Sequence, residues 1–144
     1  NQVHQRWNAR STAGQLVNSA LILETRLDDA SELLERRLEG RPLCIGGKPN
    51  NQSDIVRNMF FNVYVGRVQP YLAEVRRGRD SLIGPLSTLI LAQQEVAPQS
   101  FADWHDQYLA VNGTGLWARL DQSMSRHVTA WQRLLEQCGM RPGG

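Results

Sequence analysis

The chain has 144 residues, the size of one domain that is large enough to bury a core. It is 41% hydrophobic and 21% charged, which indicates a folded, soluble protein and not a disordered one. The formal net charge of +2 is too small to indicate nucleic-acid binding. No run reaches the ~18 apolar residues of a membrane span.

The first forty residues carry the longest periodic pattern in the sequence. Apolar side chains recur there in alternating steps of four and three, at Ala9, Ala13, Leu16, Ala20, Leu23, Leu27, Ala30 and Leu34. This seam predicts a helix at 2–39, roughly 55 Å long, that packs one stripe against other helices. We therefore expect an all-α fold, an antiparallel bundle of four to five helices with a very long N-terminal helix.

Turn residues divide the remainder of this single domain, 1–144, into predicted helices at 53–77, 84–96, 100–112 and 114–138. The second helix ends at Arg77-Gly78, and its broad apolar face consists of Ile55, Val56, Met59, Phe60, Val63 and Val68. Pro70 is expected to kink this helix without stopping it. The last helix has a second seam, expected to pack against the first helix: Trp117, Leu120, Met124, His127, Trp131, Leu134 and Cys138.

Both cysteines, Cys44 and Cys138, follow the ends of predicted helices. In an up-down bundle of five helices these two ends coincide, which favours a disulfide; two unrelated buried thiols are the alternative. In the loop-entropy model such a bond contributes about 4 kcal/mol. A bonded pair indicates a periplasmic or secreted protein, because the cytosol keeps thiols reduced.

The chain begins with Asn-Gln-Val and no initiator methionine, which leaves room for an upstream signal peptide or membrane anchor. Of the 16 basic residues only Lys48 is a lysine. This bias is typical of GC-rich bacterial genomes, and selection for arginine-specific contacts is the alternative explanation.

The most enzyme-like string in the sequence is Asp103-Trp104-His105-Asp106. Neighbouring residues of a helix point apart, and Trp104 is expected to take the buried face. His105 and Asp106 are therefore predicted to lie at the surface, outside any catalytic site. We expect no catalytic residue, no metal site and no cofactor, so the protein is predicted not to be an enzyme.

Three groups of side chains are candidate binding residues. The densest basic cluster, Arg76, Arg77 and Arg79, is expected either to stabilise a helix C-terminus or to bind a small anionic ligand or an acidic partner. Trp7 is expected to cover the bundle end, to mark an interface or to lie beside a membrane anchor. His127 lies on the apolar seam without a histidine four residues away, so a hydrogen-bonded core residue is favoured over a metal or pH-sensing role.

The predicted function is that of a non-catalytic periplasmic or secreted protein that binds another protein, as an inhibitor, an immunity protein or an adaptor. By architecture alone the bundle resembles small periplasmic helical inhibitors and immunity proteins, and also the extracytoplasmic helical domains of bacterial receptors. A ligand-binding domain of a membrane sensor is therefore the first alternative, and a small enzyme is the second. Exposed seam residues on the long helix also favour a homodimer.

Overall fold

A computed structural model describes residues 2–96 and 98–142, and the side chains of residues 12–93, 95–96 and 98–142. Across these residues the chain forms four helices: α1 (Gln2–Glu39), α2 (51–91), α3 (Gln99–Tyr108) and α4 (Leu116–Glu136). Short 3-10 turns lie at Ile45–Gly47 and Gln94–Val96. The predicted all-α fold with a very long first helix is confirmed. Within the described ranges, none of the helices has both the length and the apolar character needed to cross a bilayer.

Helix α2 corrects the predicted division of this segment into helices at 53–77 and 84–96. Residues 51–91 are helical without interruption. They are α-helical at Asn51–Met59, Gln69–Gly78 and Gly84–Leu91, and π-helical at Phe60–Val68 and Arg79–Ile83. The expected stop at Gly78 is wrong, because Gly78 has the α-helical dihedral angles φ −60° and ψ −42°.

Gly78 is explained by the close approach of two helices. A Cβ atom at this position would stand 2.5 Å from Cδ2 of Leu16 on α1. Only glycine leaves room for that side chain without a shift of its neighbours. The residue type that predicted a helix end is therefore needed here for packing.

The two π-helical stretches of α2 each lie just before a proline, Pro70 or Pro85. In an α-helix, a proline ring collides with the carbonyl group four residues earlier. In the π-helical turns the hydrogen bond spans five residues, as from the N–H of Gln69 to the carbonyl oxygen of Tyr64. The wider turn accommodates the ring, so the helix continues through both prolines.

The chain divides into two compact units. Unit 1 comprises Asn1–Glu24 and Ala73–Gln122, and unit 2 comprises Thr25–Leu72 and Ser123–Gly144. Helices α1, α2 and α4 each contribute residues to both units.

Unit 2 contains the predicted disulfide, which is confirmed: Cys44 and Cys138 are bonded, with their Cα atoms 5.1 Å apart. The bond lies in an apolar cluster that consists of Leu43, Leu134 and the partly buried Leu34, Leu38, Val56 and Met140. The N–H of Leu43 donates to Oε1 of Gln137 at 2.9 Å, which holds the loop after α1 against the end of α4.

The five-helix count that suggested the disulfide is wrong, although the disulfide itself is present. In unit 2, α1 and α4 run in the same direction, because Ser31 contacts His127 and Leu43 contacts Gln137 further along both segments. Helix α2 runs antiparallel to α4, with Tyr64 against His127. The two cysteines meet because α3, with ten residues, is too short to count as another long helix of the bundle, so that α1 and α4 keep the same direction.

The seams predicted for α1 and α4 are confirmed where side chains are described. On α1, Ala13, Ala20, Leu23 and Leu27 are buried, and Leu16, Ala30 and Leu34 are half-buried, whereas Ala9 lies outside the described side chains. On α4, every predicted seam residue is buried except Met124, which is half-buried. The predicted packing of α4 on α1 is confirmed by the contact between Ser31 and His127.

Opening the disulfide is expected to lower the free energy of unfolding by about 2–4 kcal/mol, because the crosslink restricts the unfolded chain. Urea unfolding with and without reductant measures this change. The double variant Cys44→Ser, Cys138→Ser is the control, and its unfolding should not respond to reductant. An unchanged midpoint after complete reduction, verified by alkylation and intact mass, would contradict this assignment.

Replacing Gly78 with alanine is expected to lower the free energy of unfolding. Overpacking against Leu16 costs about 1–3 kcal/mol, and the better helix propensity of alanine offsets only about 1 kcal/mol of it. Gly14→Ala is the matched control, since no atom lies within 4 Å of a Cβ at Gly14. That variant should gain about 0.5–1 kcal/mol. Chemical denaturation measures the change in the free energy of unfolding of each variant. Equal changes in the two variants would refute the packing argument.

Candidate functional site

The predicted basic cluster is not one surface patch. Arg76 and Arg77 are exposed on α2, but Arg79 is buried. The guanidinium of Arg79 donates to Asp80 at 3.0 Å and to both carboxylate oxygens of Asp121 at 3.2 and 3.3 Å. The helix does not end here, so the expected stabilisation of a helix C-terminus does not apply. The charge of Arg79 is neutralised within unit 1.

Trp7 lies in the first turns of α1, and its side chain is outside the described residues. Its predicted role therefore stays a prediction.

His127 is a hydrogen-bonded core residue of unit 2, as its position on the seam predicted. The indole N–H of Trp131 donates to Nε2 at 2.9 Å, and Nδ1 lies 2.9 Å from Oγ of Ser31. Because an indole N–H can only donate, Nε2 is the acceptor, and the neutral ring carries its proton on Nδ1 and donates it to Ser31. Burial lowers the pKa of His127, since the charged form is poorly solvated there.

The aromatic rings of Tyr64 and Trp131 pack against His127 in unit 2, and the Phe60 ring packs against both of them. The Tyr64 ring lies 4.9 Å from the imidazole, and the Phe60 ring lies 5.3 Å from Trp131, between ring centroids. Burial raises the pKa of Tyr64. His127 is therefore buried between aromatic rings and hydrogen-bonded to Ser31 and Trp131.

Arginine pairs join α4 to α1 at the surface. Arg126 forms two hydrogen bonds with the carboxylate of Glu35, at 2.8 and 2.6 Å. Its remaining nitrogen atom, Nη1, lies 3.4 Å from Oδ1 of Asp28. The hydrogen bond from Arg126 lowers the pKa of Glu35. In unit 1, Arg119 donates to Glu24 at 2.8 Å.

The prediction that Trp104 is buried and His105 exposed is wrong. His105 is 2% exposed, whereas Trp104 is exposed and packs along α3 against Phe101 and Tyr108. The aromatic residues at 101, 104 and 108 form an outer ladder, and α3 buries the face of His105 and Leu109. Asp106 is exposed, as predicted.

The burial of His105 is explained by Ser87 on α2. Nε2 of His105 lies 2.8 Å from Oγ of Ser87, and Nδ1 lies 3.2 Å from Oδ1 of Asp106. A carboxylate can only accept, so the neutral ring donates its Nδ1 proton to Asp106 and its Nε2 accepts the hydroxyl proton of Ser87. The three groups form a continuous chain of hydroxyl, imidazole and carboxylate.

This chain of groups lies in the wall of an open cleft of about 580 Å³ in unit 1. Polar lining comes from Asp80, Ser87, Thr88, His105, Asp106 and Asn112, and apolar lining from Pro85, Leu91, Ala110 and Val111. Among the described side chains, no arginine or lysine lines the cleft, so the lining residues named here favour neutral or cationic ligands over anionic ones. Across the described residues, no group of three or more metal-ligating side chains could hold an ion.

Glycine is required where α4 begins beside α3. A Cβ atom at Gly115 would overlap the carbonyl oxygen of Asp106 and stand 2.9 Å from that of Gln107. The indole N–H of Trp117 then donates to the carbonyl oxygen of Tyr108 at 2.9 Å. These two contacts fix the helix that carries His105.

Sequence reasoning missed Ser87. The apolar residues around it, Leu86, Leu89 and Ile90, favoured a face that excluded it, yet Leu89 is exposed and Ser87 is buried. The sequence contains one signal: Ser87 follows the apolar Ile83 by four residues, a spacing that places both on the same side of a helix.

A second surface feature lies on α2 in unit 2. Ile55, Met59 and Val63, predicted to be buried, are 61, 52 and 48% exposed. We call these three residues the apolar stripe. Phe60 of the predicted face is buried, and the helix also buries Ser53 and Tyr64. Asn50 and Ser53 form a reciprocal capping box at the start of α2.

The family described as "Protein of unknown function (DUF3080)" matches residues 1–142. The chain belongs to this family. The family match extends over residues of both compact units. No curated protein and no solved structure gives a significant match.

Acid is expected to destabilise the protein through His127. Its pKa is lowered on folding, so the unfolded chain takes up a proton at higher pH than the folded protein does. Stability is complete above the ordinary histidine pKa of about 6.5 and falls as the pH drops through the lowered value, by at most about 1.4 kcal/mol per pH unit. The pKa of Glu35 is lowered from its ordinary value by the hydrogen bond from Arg126.

Thermal unfolding between pH 7.5 and 5 tests this dependence in the wild type and in His127→Gln. The difference between the two curves isolates His127 from the other histidines. The variant should show a flatter curve, and an equally steep one would contradict the role of buried His127.

Proposed function

We propose that this protein acts outside the cytosol by binding another protein, as an inhibitor or adaptor, through the apolar stripe of unit 2. The disulfide supports the compartment, since such bonds persist in the periplasm and in secreted proteins. The exposure of the apolar stripe is the observation that carries the binding function.

The apolar stripe has the geometry of a helix-binding surface. Ile55, Met59 and Val63 follow one another at intervals of four residues, so their side chains form a row on one side of α2. The buried side of the helix is already occupied, because Val56 packs against the disulfide cluster and Phe60 against Trp131. Contiguous exposed apolar side chains are typical of interaction sites.

The occupant that fits this row best is an amphipathic helix with an acidic residue beside its apolar face. Such helices anchor residues spaced three or four apart in an apolar surface. The charged residues of α2 in unit 2 are Asp54, Arg57 and Arg67, an excess of one positive charge. Arg67 follows Val63 by four residues and extends the row, while Arg57 lies over the exposed ring of Phe61 at 5.7 Å. Both arginines favour carboxylates on the partner.

The double variant Ile55→Glu, Met59→Glu tests this surface, because its added charges repel an acidic partner. Immobilised wild type and variants, each carrying a photo-crosslinker, are incubated with an extracytoplasmic extract of the source organism and then irradiated. Leu33→Glu is the matched control, since Leu33 is 66% exposed on α1 of the same unit. We expect a protein that wild type and Leu33→Glu retain, that the double variant loses, and whose crosslinked peptide is an acidic amphipathic helix.

Three outcomes would overturn this proposal. Capture of no protein, or equal capture by the double variant, would show that the apolar stripe binds no partner. A crosslink to the same stripe of a second copy, with a dimer in sedimentation that the double variant loses, would assign the surface to self-association instead.

A further inference from the structure

The hydrogen-bonded chain from Ser87 through His105 to Asp106 has the order of groups that activates a serine hydroxyl. Oγ of Ser87 donates to Nε2 of His105, whose opposite nitrogen donates to a carboxylate, at the distances given above. This arrangement sets the ring tautomer in which Nε2 is free to take a proton. All three residues line the same open cleft.

We propose that this cleft is a site of ester hydrolysis, in which Ser87 is the nucleophile, His105 the general base and Asp106 the positioning residue. The proposal is independent of partner binding, because the apolar stripe belongs to unit 2 and the cleft to unit 1. It rests on geometry that the sequence did not predict, since His105 was expected at the surface.

Another serine–histidine pair, Ser31 and His127, shows why the order of groups matters. His127 accepts a hydrogen bond from Trp131 at Nε2 and donates one to Ser31 at Nδ1. The imidazole therefore accepts no hydrogen bond from the serine hydroxyl. Neither Ser31 nor His127 lines the cleft. The same two residue types form a structural contact in unit 2 and a base–nucleophile contact in unit 1.

The reaction proceeds in two balanced steps. Oγ of Ser87 bonds to the carbonyl carbon of the ester as its proton passes to Nε2 of His105, and the ester C–O bond breaks while that proton leaves on the alcohol. Water then attacks the acyl-serine, passing a proton to Nε2. The bond to Oγ breaks, and Ser87 recovers its proton from His105. No oxidant or second cosubstrate is needed.

The lining of the cleft indicates the class of substrate. Pro85, Leu91, Ala110 and Val111 provide an apolar wall for a short acyl chain. Asp80 and Asp106 disfavour negatively charged esters, so the substrate is neutral or cationic. Asn112 is among the lining residues, and a side-chain amide is one of the groups that stabilise the oxyanion of acyl transfer. A volume of about 580 Å³ suits a small molecule.

A fluorophosphonate probe tests the nucleophile on the intact protein. Attack by Oγ of Ser87 on phosphorus expels fluoride and leaves a stable adduct, which intact mass and peptide mapping locate. We expect one adduct per chain, on Ser87, in the wild type and in Ser31→Ala, the matched control. Ser87→Ala should show none.

His105→Gln separates base catalysis from packing. General-base catalysis contributes about 10²–10⁴-fold, so this variant should label at least about 100-fold more slowly while circular dichroism shows that it is folded. Asp106→Asn should label more slowly than wild type by a smaller factor, because this exposed carboxylate only orients the ring. The hydrolysis of p-nitrophenyl butyrate should follow the same order.

Several results would overturn the proposal. Wild-type protein without an adduct on Ser87 refutes it, even if Ser87→Ala fails to fold. Equal labelling rates in wild type and His105→Gln would show that the imidazole does not activate the hydroxyl. Labelling of Ser31 to the same extent would show general serine reactivity and no site.

Discussion

The buried row of helix α2 in unit 1 depends on the π-helical stretch Arg79–Ile83. Buried side chains recur there every four residues, at Val75, Arg79, Ile83 and Ser87. With 3.6 residues per turn, an α-helix would rotate such a row by about 120° between Val75 and Ser87. Hydrogen bonds that span five residues enlarge the turn and remove much of this rotation. The meeting of Ser87 with His105 follows from this local change of helix geometry, which the proline at position 85 makes favourable.

Polar groups in the two units are buried at low cost because each has a partner. Within the described side chains, no buried nitrogen or oxygen atom lacks a hydrogen bond. His105 and His127 are both buried, yet their partners differ. Nδ1 of His105 contacts the carboxylate of Asp106, whereas Nε2 of His127 contacts the indole N–H of Trp131. A histidine whose Nε2 accepts a hydrogen bond from an indole is held in a structural role. A histidine whose Nδ1 donates to a carboxylate keeps Nε2 as the basic nitrogen. The chemistry of each serine–histidine pair is therefore decided by the further partner of the histidine, Asp106 for His105 and Trp131 for His127.

The sequence predicted those features that follow from a uniform helical period. The seams of α1 and α4 and the position of His127 on one of them needed only the recurrence of apolar residues. The disulfide was also predicted, although through a count of helices that the structure does not have. Features that break the period are not predicted by the sequence: Gly78 is typical of a helix end, and its contact with Leu16 is not visible in the sequence. His105 was placed outside because a histidine is buried only when a distant residue, here Ser87, satisfies it.

The disulfide has a consequence for how the chain matures. Cys44 and Cys138 are 94 residues apart, so a ribosome that adds about 5–20 residues per second completes the second cysteine about 5–20 s after the first. During this interval Cys44 is a lone thiol, and the residues that bury it, Leu134 among them, have not been made. Closure of the bond must therefore follow the synthesis of Cys138 and of the helix α4 that precedes it. An oxidant that acts after both helix ends have been made suits this order of events.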